Sequence, residues 1–195
     1  MRFAGLILVF AALDVPGTAQ VDRLRLQPLL DFETQVLPGP PRGWYSSAGF
    51  VADDQTVHGG KWAARIDRTA STPDQFSTIT LSVPSDFEGD SVEVHAYIKT
   101  ENVSQFFALW IREDGETPGV AFNSLEPRQL HGTNEWKEYS IAIPHNSNAK
   151  QLFFGALIRG TGKMWVDDVR VLVDGKPIWD APAKKARADD LRSRS

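Results

Sequence analysis

The chain has 195 residues, 42% of them hydrophobic, a formal net charge of -4 and no cysteine. That length suits one well-buried core and is short for two, and the acidic balance gives no electrostatic basis for a nucleic-acid or anionic-membrane partner. The missing thiols exclude disulfides, thiolate metal sites and lipoprotein acylation.

At the start, Arg2 precedes an apolar run from Phe3 to Leu13, followed by Val15, Pro16 and the small-x-small triplet Gly17-Thr18-Ala19. This is the pattern of an export signal over residues 1–19 cleaved after Ala19, and the apolar run falls short of the about 20 residues that span a bilayer. The expectation is a secreted or periplasmic protein with no membrane anchor. Residues 20–28 form a lead-in that is either a strand or a linker. Leu29 to Glu33 has strand character and ends on an acid, and the Pro- and Gly-rich stretch from Pro38 to Gly43 is a loop that delivers Trp44 and Tyr45.

From there the pattern alternates. Trp62, Ala64 and Ile66 interleave with polar or small residues, as do Ile79, Leu81 and Val83 within Phe76–Val83. In Ser91–Lys99 the apolar set is Val92, Val94, Ala96 and Ile98, which leaves Glu93, His95, Tyr97 and Lys99 on the other face. In Phe106–Arg112 the core set is Phe107, Leu109 and Ile111, which turns Trp110 and Arg112 outward. A charged Gly- and Pro-containing loop begins at Glu113, and Trp136–Ile143, Gln151–Ile158 and Met164–Val173 complete the pattern. These are about eight to ten short strands with no sustained helical period, which predicts an all-β jelly-roll sandwich of two antiparallel sheets over residues 29–179. Residues 180–195 carry too little apolar surface to order themselves.

Two candidate sites follow. Hard cations take carboxylate and carbonyl oxygens, and the chain places Glu33 on its first strand, Asp167 on its last and a His58-Gly59-Gly60-Lys61 turn between. If Val169 and Val171 point inward, Asp167 shares their face and needs a partner, while Asp168 faces water. The other reading makes both solvated strand-end acids. The second candidate is an outward aromatic and polar face: His95, Tyr97 and Lys99 on one strand, Trp110 and Arg112 on a strand paired with it, and Trp44 from a neighbouring loop. Such a face suits a sugar, whose C–H surface stacks on a ring while polar groups take its hydroxyls. It would equally suit a protein partner, or it is covered by the Glu113–Arg128 stretch, with Trp110 and Phe122 forming a satellite core. Catalysis has little support: the four His have no zinc spacing, no Gly-x-Ser-x-Gly elbow occurs, and the loop residues His131 and His145 read as surface residues. The chain reads as a non-enzyme, and nothing in it sets an oligomeric state.

The order Asp31-Phe32-Glu33, Gly43-Trp44, His58-Gly59-Gly60-Lys61-Trp62-Ala63 and Trp165-Val166-Asp167-Asp168-Val169 resembles the galactose-binding-like jelly rolls of carbohydrate-binding modules that bind xylan and β-glucan. The resemblance implies a structural calcium held by Glu33, the Lys61 carbonyl and Asp167, and an oligo- or polysaccharide ligand. A second resemblance covers Ala108 to Gly115, Ala121 to Leu125, His131 to Tyr139, Phe154-Gly155 and Gly160-Thr161-Gly162. That set is similar to the ancillary jelly roll of secreted tail-specific serine peptidases and erythromycin-esterase-like proteins, which implies a secreted hydrolase as partner. Here the chain departs at Asn123-Ser124-Leu125, where relatives tend to carry Asp-Asn-Met.

Overall fold

The computed structural model describes residues 22–34, 40 and 43–184, so the expected export signal and most of the charged tail lie outside the described residues. Ten strands run in chain order: β1 Trp44–Ser46, β2 Phe50–Asp53, β3 Ala63–Arg68, β4 Phe76–Pro84, β5 Ser91–Asp114, β6 Ala121–Ser124, β7 Leu130–Pro144, β8 Gln151–Arg159, β9 Gly162–Val173 and β10 Lys176–Pro177. All pairings are antiparallel. The all-β jelly-roll reading holds.

Strand β5 is the element on which the two layers turn. The sequence suggests two strands separated near residue 100, and the structure joins them into one of 24 residues. Its first half lies between β7 and β9, with Val92 opposite Val173 and Glu101 opposite Lys163. Its second half lies between β8 and β6, with Phe106 opposite Arg159 and Trp110 opposite Ser124. The change of partners occurs where Asn102 takes a left-handed φ of 53° and the β7 register slips. The front layer is thus β2-β3-β9-β5-β7, and the back layer β1-β4-β8-β5-β6.

The apolar alternation selects the inward faces. Val92, Val94, Ala96 and Ile98 are fully buried in the front layer, as are Ile79, Leu81, Leu152 and Phe154 in the back. Each of these side chains except the small Ala96 contributes about 1.5–3 kcal/mol by leaving water. Contact between layers is direct: the Phe107 ring of the back layer meets the Tyr139 ring of the front edge-on at 5.5 Å.

Both ends of the described chain depart from expectation. Residues Gln27–Leu30 form one helical turn instead of entering a strand, with Pro28 in its first turn, and Phe32 beyond it has a φ of 60°. Trp44 Nε1 donates to the Leu29 carbonyl at 2.9 Å and fixes that turn against β1. Upstream, Arg23 is buried; its Nε donates to Asp86 at 2.7 Å and its Nη1 to the carbonyls of Ile178 and Ala181. The segments expected to be a lead-in and the beginning of a tail are therefore clasped to each other, and Lys184 Nζ extends the clasp to the carbonyls of Ser85 and Ala149.

Candidate functional site

Strand β9 holds the key irregularity. His95 stands opposite Arg170 and Tyr97 opposite Asp167, so Asp168 and Val169 together face the single residue Ala96. This is a β-bulge, and Asp168 occupies it with a φ of 46°. A bulge shifts alternation by one residue. Asp167 therefore lies on the outer face beside Tyr97 and does not share the inward face of Val169 and Val171, which corrects the sequence expectation.

Asp167 is nonetheless fully buried, because the His58–Lys61 turn folds over it. Its Oδ2 accepts the N–H groups of His58 at 2.8 Å and Gly59 at 3.1 Å, and its Oδ1 accepts that of Asp168 at 2.8 Å. Burial is the larger influence and pushes the carboxyl up to about 6 despite these bonds, with the neighbouring Asp168 charge adding to the rise. On the other side of the turn, Glu33 Oε1 accepts the N–H groups of Lys61 at 2.7 Å and Trp62 at 3.1 Å. Gly60 has a φ of 59°, a left-handed conformation that favours glycine, and a Cβ there would displace the Glu33 carboxylate, whose Oε1 would lie 2.1 Å away. Asp168 is not simply solvated: its Oδ2 lies 2.5 Å from His58 Nδ1.

Glu33 and Asp167 thus both accept backbone N–H groups of the His58–Lys61 turn and its Trp62 neighbour. Among the described residues neither Glu33 nor Asp167 has a cationic side chain within ion-pair distance. That uncompensated charge fits a hard cation. No three His, Cys, Asp or Glu side chains converge there among the described residues, so backbone carbonyls and water would have to complete a cation's shell.

The His58 ring connects this turn to the front face. It stacks on Tyr97 at 3.6 Å and 15°, and meets Trp136 edge-on at 5.6 Å. Beyond Tyr97 opens a cleft of about 450 Å³ between β5, β9, the Gln27–Leu30 turn and the short 3-10 helix Ile178–Asp180. Its wall includes Tyr97, Trp179, Gln27, Asp31, Asp168 and Arg170. The volume is in the range of small-ligand sites. His95, two residues from Tyr97, stands outside this cleft between Glu93 Oε2 at 3.2 Å and Glu138 Oε1 at 3.5 Å. Farther along the face, Asp53 accepts from Trp165 Nε1 and Arg65; burial works to raise its carboxyl, but these bonds and the Gln55 and Thr56 N–H groups hold it below its ordinary range.

The remaining predicted ligand residues are elsewhere. Tyr97 and Trp110 belong to one strand, not to paired strands, and because β5 crosses between layers they occupy different layers. Trp110 is 1% exposed and Arg112 4%. Arg112 lies over the Phe153 ring at 4.8 Å and donates to Asp114 at 2.9 Å. Trp44 is a core residue, packed on Phe32 at 5.1 Å and edge-on to Phe154 at 6.0 Å. Phe122, which the alternative reading places in a satellite core with Trp110, is 46% exposed on β6. A face shared by Tyr97, Trp110, Arg112 and Trp44 does not exist.

Sequence reasoning missed Trp179 and Asp31 because nothing in their spacing ties them to β5; the helical turn at Gln27–Leu30 does so only in the fold. It also missed His145, whose side chain is 2% exposed with Nδ1 2.6 Å from the fully buried Glu113. Pro144 marks that residue as a loop, and only the packing of the Phe87 ring at 4.7 Å buries it.

No family model matches the chain. An uncharacterized HTH-type transcriptional regulator, YbfP of Bacillus subtilis strain 168, is 29% identical over 120 residues, 60% of this chain. The chain spans about two fifths, 41%, of that relative's length. Among the described residues the one α-helix has 4 residues, so they contain no helix-turn-helix. Among solved structures, the C-terminal family 22 carbohydrate-binding module of Clostridium thermocellum Xyn10B superimposes with a TM-score of 0.52 at 12% identity, covering 76% of this chain and 92% of that one. A cyclase from Fischerella sp. gives 0.52 at 10% identity, covering 73% and 91%. At such identity the likeness establishes the sandwich fold, and a fold that carries both a binding module and a cyclase leaves function to the site. No helix among the described residues is long and apolar enough to cross a membrane.

Proposed function

We propose that this protein is an exported, non-catalytic carbohydrate-binding module whose glycan lies in the Tyr97 cleft of the front layer. The observation that carries this reading is the cleft itself: the rings of Tyr97 and Trp179 stand among hydrogen-bonding side chains of Gln27, Asp31, Asp168 and Arg170 in one open volume of about 450 Å³. Rings offer an apolar surface to the C–H face of a pyranose, and the polar groups around them take its hydroxyls. His58 occupies one face of Tyr97, and the ring also lines the cleft.

A calcium ion at Glu33, Asp167 and the Lys61 carbonyl is the second part of the proposal. It would supply the positive charge that these two carboxylates lack and stiffen the turn from which His58 holds Tyr97. Its test is the melting temperature in chelator and in millimolar calcium, since a ligand of the native state raises it by mass action. Equal melts in the two conditions would remove the cation.

Titration calorimetry against soluble xylan and β-glucan oligosaccharides tests the glycan. Tyr97→Ala and Trp179→Ala should each weaken binding about five- to 150-fold, the loss of a ring platform of about 1–3 kcal/mol, with melting little changed in Tyr97→Ala and lowered in Trp179→Ala, whose ring packs partly buried against the core. An ancillary role beside a secreted hydrolase is the second reading, and a front face that binds no glycan but retains a hydrolase from an exported-protein extract would favour it.

A further inference from the structure

The charged groups lining the cleft are Asp31, Asp168 and Arg170, and they differ in how far their charge is already used. Arg170 is paired with Glu138, and Asp168 is held by His58. Asp31 forms no ion pair among the described residues; its Oδ1 accepts the Glu33 N–H at 3.1 Å, a neutral donor that leaves the carboxylate charge in place. The Arg170 guanidinium is shared with a carboxylate that also lies 3.5 Å from His95, itself 3.2 Å from Glu93. Among the described residues the one positive side chain lining the cleft is therefore paired, and the charge that they leave uncompensated on its wall is negative.

We infer that the cleft selects an amine-bearing glycan, a glucosaminyl oligosaccharide with free amino groups, with the ammonium placed at Asp31 and the sugar ring on Tyr97 and Trp179. This rests on the carbohydrate-binding reading and adds the ligand class to it. A uronate would bring a carboxylate against Asp31 and Asp168 and find no unpaired cation, so acidic glycans are disfavoured by the same groups. A neutral xylan or β-glucan keeps the ring stacking and loses only the ion pair.

The preference has a calculable ceiling. An exposed ammonium–carboxylate pair contributes modestly in water, so the amine should tighten binding by about two- to fivefold over its N-acetylated counterpart. That gain should vanish as ionic strength rises past the point where the Debye length is shorter than the cleft.

The experiment is calorimetric titration of the whole protein with four hexasaccharides of matched length: glucosamine, N-acetylglucosamine, xylose and galacturonic acid. The same series is run on Asp31→Asn, which keeps an oxygen to accept the Glu33 N–H. The expected result ranks glucosamine above the two neutral sugars and galacturonate last, with Asp31→Asn bringing glucosamine down to the neutral level and leaving xylohexaose unchanged. Equal binding of glucosamine and its N-acetylated form, or galacturonate as the tightest ligand, overturns the inference while the carbohydrate-binding reading stands. Failure of all four to bind overturns both. A glucosamine preference that survives Asp31→Asn places the amine elsewhere and also overturns it.

Discussion

Tyr97 stands directly across the β5–β9 ladder from Asp167, on the outer face of the sandwich, although Asp167 is fully buried. Two consequences follow from that one relationship. The acid is covered by the His58–Lys61 turn and not by the core, and the turn that covers it also brings the His58 ring onto Tyr97. The candidate cation site and the candidate glycan cleft therefore share a wall.

Asp167 gives stability a pH dependence of unusual sign for a carboxylate. Its folded pKa, pushed up to about 6 mainly by burial, lies above the ordinary value of 3.8. The native state thus holds the proton more tightly than the unfolded chain, so the stabilisation is complete below the unfolded value and is lost as pH rises through about 6. The shift corresponds to on the order of 2–3 kcal/mol. In chelator, melting temperature should fall between pH 4 and pH 7, Asp167→Asn should flatten that slope, and calcium should restore stability at the upper end. A slope that persists unchanged in Asp167→Asn would assign it to another group.

Gly155 lies in the middle of the back layer, between Thr80 of β4 and Trp110 of β5. A Cβ there would stand 2.0 Å from the Ile79 carbonyl oxygen, a backbone atom fixed by the ladder. Gly155→Ala should therefore cost about 3 kcal/mol, at the upper end of overpacking. Gly119→Ala meets nothing within 4 Å and should cost only the about 1–2 kcal/mol of its left-handed backbone. Urea midpoints of the two variants measure the difference, and equal losses would contradict it.

The buried pair of Glu113 and His145 is a second place where one substitution has a large effect. Glu113 also accepts the Asn146 N–H at 2.8 Å and lies 3.4 Å from Ser85 Oγ, so its carboxylate organises the β7–β8 connection. Glu113→Ala leaves those donors buried without an acceptor and should lower stability by about 3–5 kcal/mol. Glu113→Gln keeps part of the acceptor set and should lose less. If Glu113→Ala unfolds at the wild-type urea concentration, the pair is dispensable.

Trp110 and Tyr97 should separate stability from binding. Trp110 is 1% exposed, so Trp110→Ala should cost about 3–5 kcal/mol of stability. Glycan affinity of its remaining folded fraction should be unaltered. Tyr97→Ala should show the opposite pattern in melting and calorimetry. Loss of glycan affinity in Trp110→Ala at wild-type stability would move the site to the back layer.

Alternation of apolar and polar residues is a property of one strand at a time. For that reason the sequence by itself determined the sandwich and the inward sets of β4 and of the first half of β5. Whether an outward residue is open to a ligand depends on what another segment lays over it, and that the tertiary structure alone decided. It buried Trp44, Trp110 and Arg112, sent Tyr97 and Trp110 to opposite layers through the crossing of β5, and drew Trp179 and Asp31 to Tyr97. The bulge at Asp168 belongs to the same class. Its extra residue is a matter of cross-strand register with Ala96, which no periodicity within β9 records, yet it sets the face on which Asp167 lies.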